Sequence, residues 1–300
     1  MQFNSGNMLT RIILVNVAVF VLMVFLNLAL GVLVDYQTPS PTFRKSILPW
    51  LALNEDAFWN LTHPWVFITS MFLHIGFFHI LWNMLLLYWF GRIVGDLLGD
   101  RRVLPLYLMC GLAGGLVYFL SANLNLPFTI GNMALGASAA VLGILTAAGV
   151  TAPDYQIRLL FLGTVRLKYI VAAAVVLDLI ALSSNSNSGG SLAHLGGAFM
   201  GYLTVVQMKN GNDWTVTVNR WLDWIGNLFR KDEPATPRRK PTAKARRTKM
   251  TVSHRGKSAP SDTPDHEERL NEILDKIRSE GMGSLSEEEK EFLLNASKDN

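Results

Sequence analysis

Cysteine is nearly absent. Cys110 is the single one in 300 residues, so no intrachain disulfide can form. It lies in an apolar run and reads as a small packing residue. No CxxC pair and no His/Cys spacing of a metal site occurs, and no metal or organic cofactor is implied. Charge is also scarce, but only in part of the chain: acidic and basic residues are sparse before Asp213 and dense after it, so the net charge of +4 averages two regimes. Loops 121–133 and 183–191 carry no charge at all. Basic residues gather near the ends of apolar runs and after Phe229. That pattern suits an anionic membrane surface, and nothing resembles a nucleic-acid module. Met1 to Thr10 has no basic run, and the apolar stretch after Arg11 reaches Val34, too long for a signal-peptide core. No small-residue cleavage site follows, so a retained span is expected.

What the chain has in quantity is hydrophobic residues, 50% of the total, with positive mean hydropathy. A bilayer core takes about 20 helical residues. Six runs qualify or nearly do: Ile12 to Val34, Trp65 to Phe90, Val103 to Leu120, Ala134 to Val150, Leu167 to Leu182 and Leu192 to Val206. The last three are short, which fits helices shielded by neighbours or stopping at a water-filled cavity. Arg92, Arg101 and Arg102 lie between the second and third runs; Arg158, Arg166 and Lys168 lie between the fourth and fifth. The tail is strongly basic. The positive-inside rule then puts both termini of a multi-pass membrane protein in the cytoplasm; a bacterial inner membrane is the expected location.

In that topology four polar groups fall in the outer half of the membrane. Ser138 follows Gly136-Ala137 near the start of the fourth run, and His194 opens the sixth. His79 and Asn83 stand four apart in the second run and share a helix face. A lone serine in such a run ordinarily bonds back to a carbonyl one turn earlier. It becomes chemical only beside a base. Gly197 and Gly201, with Ala193 one turn before, give the sixth run a small-residue face for close helix contact, which would bring His194 to Ser138. His79 and Asn83 would suit an oxyanion, together with the Ser138 N–H. The bland alternative has Asn83 bonding between helices and His79 bonding a loop carbonyl. Asp178 is the one acid inside a span. The sequence does not place it beside His194, so a Ser–His dyad is expected, with Asp178 in a structural hydrogen-bonding role. His74 is expected to brace the long outer loop, and His63 to sit at the interface.

The segments Met71-Phe72-Leu73-His74-Ile75-Gly76-Phe77-Phe78-His79-Ile80-Leu81-Trp82-Asn83-Met84, Gly136-Ala137-Ser138 and Ala193-His194-Leu195-Gly196-Gly197 together resemble the rhomboid intramembrane serine proteases. The resemblance spans roughly 65–201. It implies an all-α polytopic membrane protein, a six-transmembrane-helix bundle with its active site open to the outer face. It also implies Ser138 as nucleophile, His194 as general base and acid, and His79 and Asn83 as oxyanion donors. Partners would be transmembrane protein substrates cut in or near a span rich in helix-breaking residues. Two features depart from the family pattern. Ala139 stands where Gly often follows the serine, and the Trp-Arg pair common in the first outer loop is not evident. A rhomboid-like protein that binds transmembrane helices without cutting them is the alternative, although such relatives typically lose the serine or the histidine. A small transporter fits less well, because no inverted repeat is visible.

The expected domains are a membrane domain over 1–210, an interfacial helix over 211–230, a basic disordered linker over 231–261 and a small acidic helical hairpin over 262–300. In loop 35–64, Trp50 and Trp59, with Trp65 just beyond, favour a partly embedded position. Loop 183–191 reads as a mobile cap before His194. Trp214, Trp221, Leu222, Trp224, Leu228 and Phe229 recur at helical spacing, as on a surface-lying helix. Arg238, Arg239, Lys240, Lys244, Arg246, Arg247 and Lys249 lack apolar company for a core. In the tail, Leu270, Ile273, Leu274 and Ile277 form one stripe, and Ser286 with Glu289 reads as a capping box. The basic stretch is expected to bind an anionic leaflet, and more weakly as salt rises. Deleting residues 238–257 should therefore abolish recruitment of the tail to anionic liposomes; unchanged recruitment would contradict the assignment.

Overall fold

Most of the apolar runs become helices, with two breaks that carry functional weight. The computed structural model describes residues 7–124, 130–159, 163–183, 187–228 and 264–296. The basic linker, and the middles of the two uncharged outer loops, lie outside the described residues. The chain divides into two compact units, Met1–Lys231 and Asp232–Asn300.

The first unit is an α-helical membrane bundle of α1 (Met8–Leu30), α2 (Phe77–Leu98), α3 (Val103–Asn123), α4 (Ser138–Thr151), α5 (Leu167–Ser183) and α6 (Ser188–Lys209). Met8–Asp35, Phe77–Leu98 and Asp100–Asn123 are long and apolar enough to cross a membrane, and Ser138–Thr151 is a shorter apolar helix. α4 is apolar all round and buried continuously from Ala139 to Gly149, as expected of a helix at a bundle's centre. α2, α3, α5 and α6 pack around it. Its 14 residues rise about 21 Å, against a hydrocarbon core of about 30 Å. At that length the helix is shorter than the hydrocarbon core, so its two ends cannot both reach the bilayer surface. α1 and α5, by contrast, present exposed apolar side chains such as Phe25, Leu28, Leu177 and Ile180, which suit lipid.

Backbone contact fixes the α4–α6 pair. A Cβ on Gly197 would overlap the carbonyl of Ala139, and one on Gly201 the carbonyl of Gly143. From the opposite side, a Cβ on Gly114 of α3 would lie 2.5 Å from the Ala139 Cβ and 2.6 Å from the Ala193 carbonyl. Small residues let the three helices meet along their main chains, where dispersion contacts are densest.

Three local departures follow from chain chemistry. The second run is not continuous: a short helix and 3-10 turn over Val66–Phe72 end at extended Leu73, and α2 begins only after Gly76 at φ +90°. The fourth run becomes helical at Ser138 and not at Ala134, because Gly136 takes φ +122° and Ala134 joins a strand. Antiparallel β1 (Leu53–Asn54) and β2 (Met133–Ala134) pair Leu53 with Ala134 and Asn54 with Met133. β3 (Gln156–Leu159) and β4 (Gly163–Arg166) pair between α4 and α5. The all-α reading is thus modified by two small ribbons.

The outer loop is held by aromatics. Trp59 stacks on His63 at 4.1 Å between ring centroids, and Trp50 meets both edge-on. The indoles of Trp59 and Trp65 donate to the carbonyls of Pro49 (3.0 Å) and Trp50 (2.9 Å). At the other face, Met8 N–H donates to both carboxylate oxygens of Asp100, and Lys209 Nζ caps the C-terminal end of α4 through the Val150 carbonyl at 2.7 Å. Arg102 bridges to Asp213 at 2.8 Å, just before α7 (Trp214–Leu228), which exposes Trp221, Trp224, Ile225 and Leu228. Partial burial pushes the Asp213 carboxyl up, but the Thr215 hydroxyl and Arg102 outweigh it and hold it below the ordinary carboxylate range.

In the second unit, α8 (Pro264–Glu280) and α9 (Glu287–Ala296) are tied by Lys276 to Glu289 at 2.9 Å. Glu289 accepts from the Ser286 N–H at 2.7 Å while its own N–H donates to the Ser286 hydroxyl at 3.3 Å, the reciprocal pair of a capping box.

Overpacking at the α4–α6 contact should be costly. Gly201→Leu is expected to lose about 3 kcal/mol or more, because the clash is with backbone and not with a movable side chain. Gly226→Ala in α7, where nothing lies within 4 Å, should be neutral or gain up to about 1 kcal/mol. Thermal unfolding in detergent distinguishes the two; equal midpoints would contradict the packing.

Candidate active site

The N-terminal ends of α2, α4 and α6 enclose a cavity of about 480 Å³ whose lining includes His79, Asn83, Gly136, Ser138, Ala139 and His194. Ser138 is the first residue of α4, so its N–H has no intrahelical acceptor and sits at the positive end of the helix dipole. The preceding turn is tied down from several directions. The Gly136 N–H donates to the Ser70 carbonyl at 2.9 Å, and the Ala137 N–H donates to His74 Nε2 at 3.3 Å. His74 thus braces the serine turn and not the long outer loop. The β1–β2 ribbon attaches the same turn to the outer loop.

His194 stands six residues, nearly two turns, inside α6. Its Nε2 lies 2.7 Å from Ser138 Oγ, hydrogen-bond distance between a helix-four hydroxyl and a helix-six imidazole. Its Nδ1 lies 2.8 Å from Asp178 Oδ1 on α5. The carboxylate that the sequence left unplaced therefore faces the histidine. A signal for this was present: an acid inside a span must turn toward a polar partner.

His79 and Asn83 reach the same cavity from α2. The His79 ring packs against Gly136, where an added Cβ would lie 2.9 Å from both Cε1 and Nε2. Asn83 is buried, and its Nδ2 donates to the His79 carbonyl at 2.8 Å. That bond uses one amide hydrogen and leaves the second for another acceptor. Ala139 packs its methyl toward Gly114, and does so while the chain still leaves an open cavity in front of Ser138. No group of three or more His, Cys, Asp or Glu able to hold a metal occurs among the described residues.

Residues 61–210 match the Rhomboid domain, half of the chain. The chain belongs to the rhomboid family. Relatives of this rhomboid include the Rhomboid protease GluP of Bacillus subtilis (strain 168), 31% identical over 145 residues, covering 48% of this chain and 26% of the relative. Rhomboid protein 1, mitochondrial, of Saccharomyces cerevisiae is 30% identical over 183 residues, covering 60% and 51%. The human Presenilin-associated rhomboid-like protein, mitochondrial, is 25% identical over 199 residues, covering 66% and 48%. The matched region thus spans about a quarter to a half of the length of these relatives. Membership supports a membrane protein of a protease family.

Gly136 is the position where the turn leaves least freedom. Gly136→Ala places a side chain at positive φ and against the His79 ring, and should lower stability by about 1 kcal/mol or more. Gly131→Ala, with nothing within 4 Å and no positive φ, should leave the unfolding midpoint unchanged. Equal effects would contradict the geometry of the serine turn.

Proposed function

We propose that this rhomboid is an intramembrane serine protease that hydrolyses peptide bonds in or near the transmembrane segments of membrane-protein substrates. The observation that carries the reading is the 2.7 Å contact between Ser138 Oγ and His194 Nε2 at the wall of a cavity. In the reaction, Oγ attacks the scissile carbonyl carbon and its proton passes to Nε2. The carbonyl oxygen becomes an oxyanion, stabilised by the Ser138 N–H and by Asn83 and His79 from α2. Collapse expels the amine, which takes the proton from His194. A water then repeats the sequence on the acyl-enzyme, and Ser138 is restored. The substrate helix must unwind locally, because a helical amide is shielded and already hydrogen-bonded. A protein that only held helices would need neither the hydroxyl–imidazole contact nor the unused amide hydrogen of Asn83.

The basic end of the bundle suggests cytoplasmic termini and a site opening to the far side of the membrane. A bacterial relative is consistent with a bacterial inner membrane, and the mitochondrial relatives show that the family also serves organelles. The basic linker would hold the tail on an anionic leaflet.

A fluorophosphonate probe tests the nucleophile. The folded protein should be labelled at Ser138, and Ser138→Ala and His194→Ala should each abolish labelling and cleavage without loss of folding. Asn83→Ala should lower the cleavage rate by about 10²-fold or more, the size seen on losing one oxyanion donor. An intact protein that does not react, or an unchanged rate in Ser138→Ala, would overturn the reading.

A further inference from the structure

Asp178 lies where an unpaired acid would be costly. Its neighbours Val176, Leu177, Leu179 and Ile180 are exposed on the lipid-facing side of α5, yet the Asp178 side chain is only 16% accessible. A carboxylate in a span is expected to face the bundle interior and pair there. Its ion-pair partner among the described residues is His194, and no lysine or arginine bridges to it. The topology makes the meeting natural. Asp178 stands five residues before the end of α5 (183 − 178), and His194 six after the start of α6 (194 − 188). At about 1.5 Å per residue, both lie roughly 8–9 Å from the connector between two adjacent helices, hence at one depth.

We infer that Asp178 is a positioning residue that completes a Ser–His–Asp relay across α4, α6 and α5. An ionised carboxylate can only accept, so the hydrogen on the 2.8 Å bond belongs to His194 Nδ1. That tautomer leaves Nε2 bare and aimed at Ser138 Oγ, as a general base requires. When Nε2 takes the serine proton, Asp178 stays ionised and offsets the imidazolium charge in a medium of low dielectric. The other groups facing the imidazole are the Ser138 hydroxyl from α4 and His79 from α2, and neither can supply that negative charge. The helix that carries Asp178 also makes mostly peripheral packing, with Leu167 its one buried residue among those described. The pairing is therefore not explained by a need to bury α5.

This inference rests on the protease reading above, and the experiment separates the two. The full-length protein in detergent is treated with a fluorophosphonate probe, and the maximal labelling rate and half-saturating concentration are measured for wild type, Asp178→Asn and Ser138→Ala. Asp178→Asn keeps size and polarity, and its thermal midpoint is expected to stay near that of wild type. Its maximal rate should fall on the order of 10²–10⁴-fold while the half-saturating concentration changes by less than about 3-fold, as for loss of the orienting carboxylate in a triad. A merely structural tie between α5 and α6 would spare the rate in a folded protein. If Asp178→Asn does not fold, Asp178→Leu carries the same criteria, since an apolar side chain suits a lipid-facing helix. Labelling within about 3-fold of wild type in a folded variant would overturn the positioning role. Undiminished labelling of the Ser138→Ala protein would overturn the protease reading, and the positioning role with it.

Discussion

Main chain meets main chain where α6 crosses α4, and the meeting of Ser138 with His194 descends from that contact. Gly197 and Gly201 lie so close to the carbonyls of Ala139 and Gly143 that no side chain could be interposed. The separation of the two helices is thereby set by backbone and not by adjustable side chains. His194 stands three residues before Gly197, and Ser138 one before Ala139. A fixed axis distance therefore becomes a fixed distance between hydroxyl and imidazole. In lipid, where no hydrophobic force drives helices together, this close approach is itself the main source of association.

Around that contact the chain uses breaks in helix as deliberately as helix. Gly136 turns the chain so that Ser138 opens α4 with its N–H unpaired, and Gly76 starts α2 late enough for His79 to reach the turn. The β1–β2 ribbon then ties the turn to the outer loop, and the bond from Ala137 to His74 ties it to the segment before α2. The aromatic cluster of Trp50, Trp59, His63 and Trp65 gives that loop its own rigidity. A site held from both sides keeps the Ser138 N–H and hydroxyl in place without substrate, the preorganisation on which the proposed reaction would draw.

Much of this was legible in the residues. Apolar runs gave the helices, and the glycine spacing in the sixth run pointed to the neighbour it touches. The three motifs carried the family. What the sequence hid has physical causes. The interruption at Leu73–Gly76 lies inside a largely apolar run, so average hydropathy is blind to it, and His74 and Gly76 alone mark the place. The β3–β4 ribbon is a short polar hairpin whose register depends on pairing that periodicity over four residues cannot reveal. Two-residue pairing between Leu53 and Ala134 is a contact across 80 residues of chain, beyond any local pattern. Asp178 was visible as an anomaly, but its partner was not, because helix rotation about its axis is set by packing.

The most direct measurement of the central contact is thiol chemistry at position 138, in a Cys110→Ala background so that one cysteine remains. An imidazole within hydrogen-bond distance takes the thiol's proton and creates a reactive thiolate. Ser138→Cys should therefore be alkylated by iodoacetamide at pH 6 about tenfold or more faster than Ser138→Cys combined with His194→Ala. Equal rates in two folded proteins would mean that hydroxyl and imidazole do not meet, and would contradict the account.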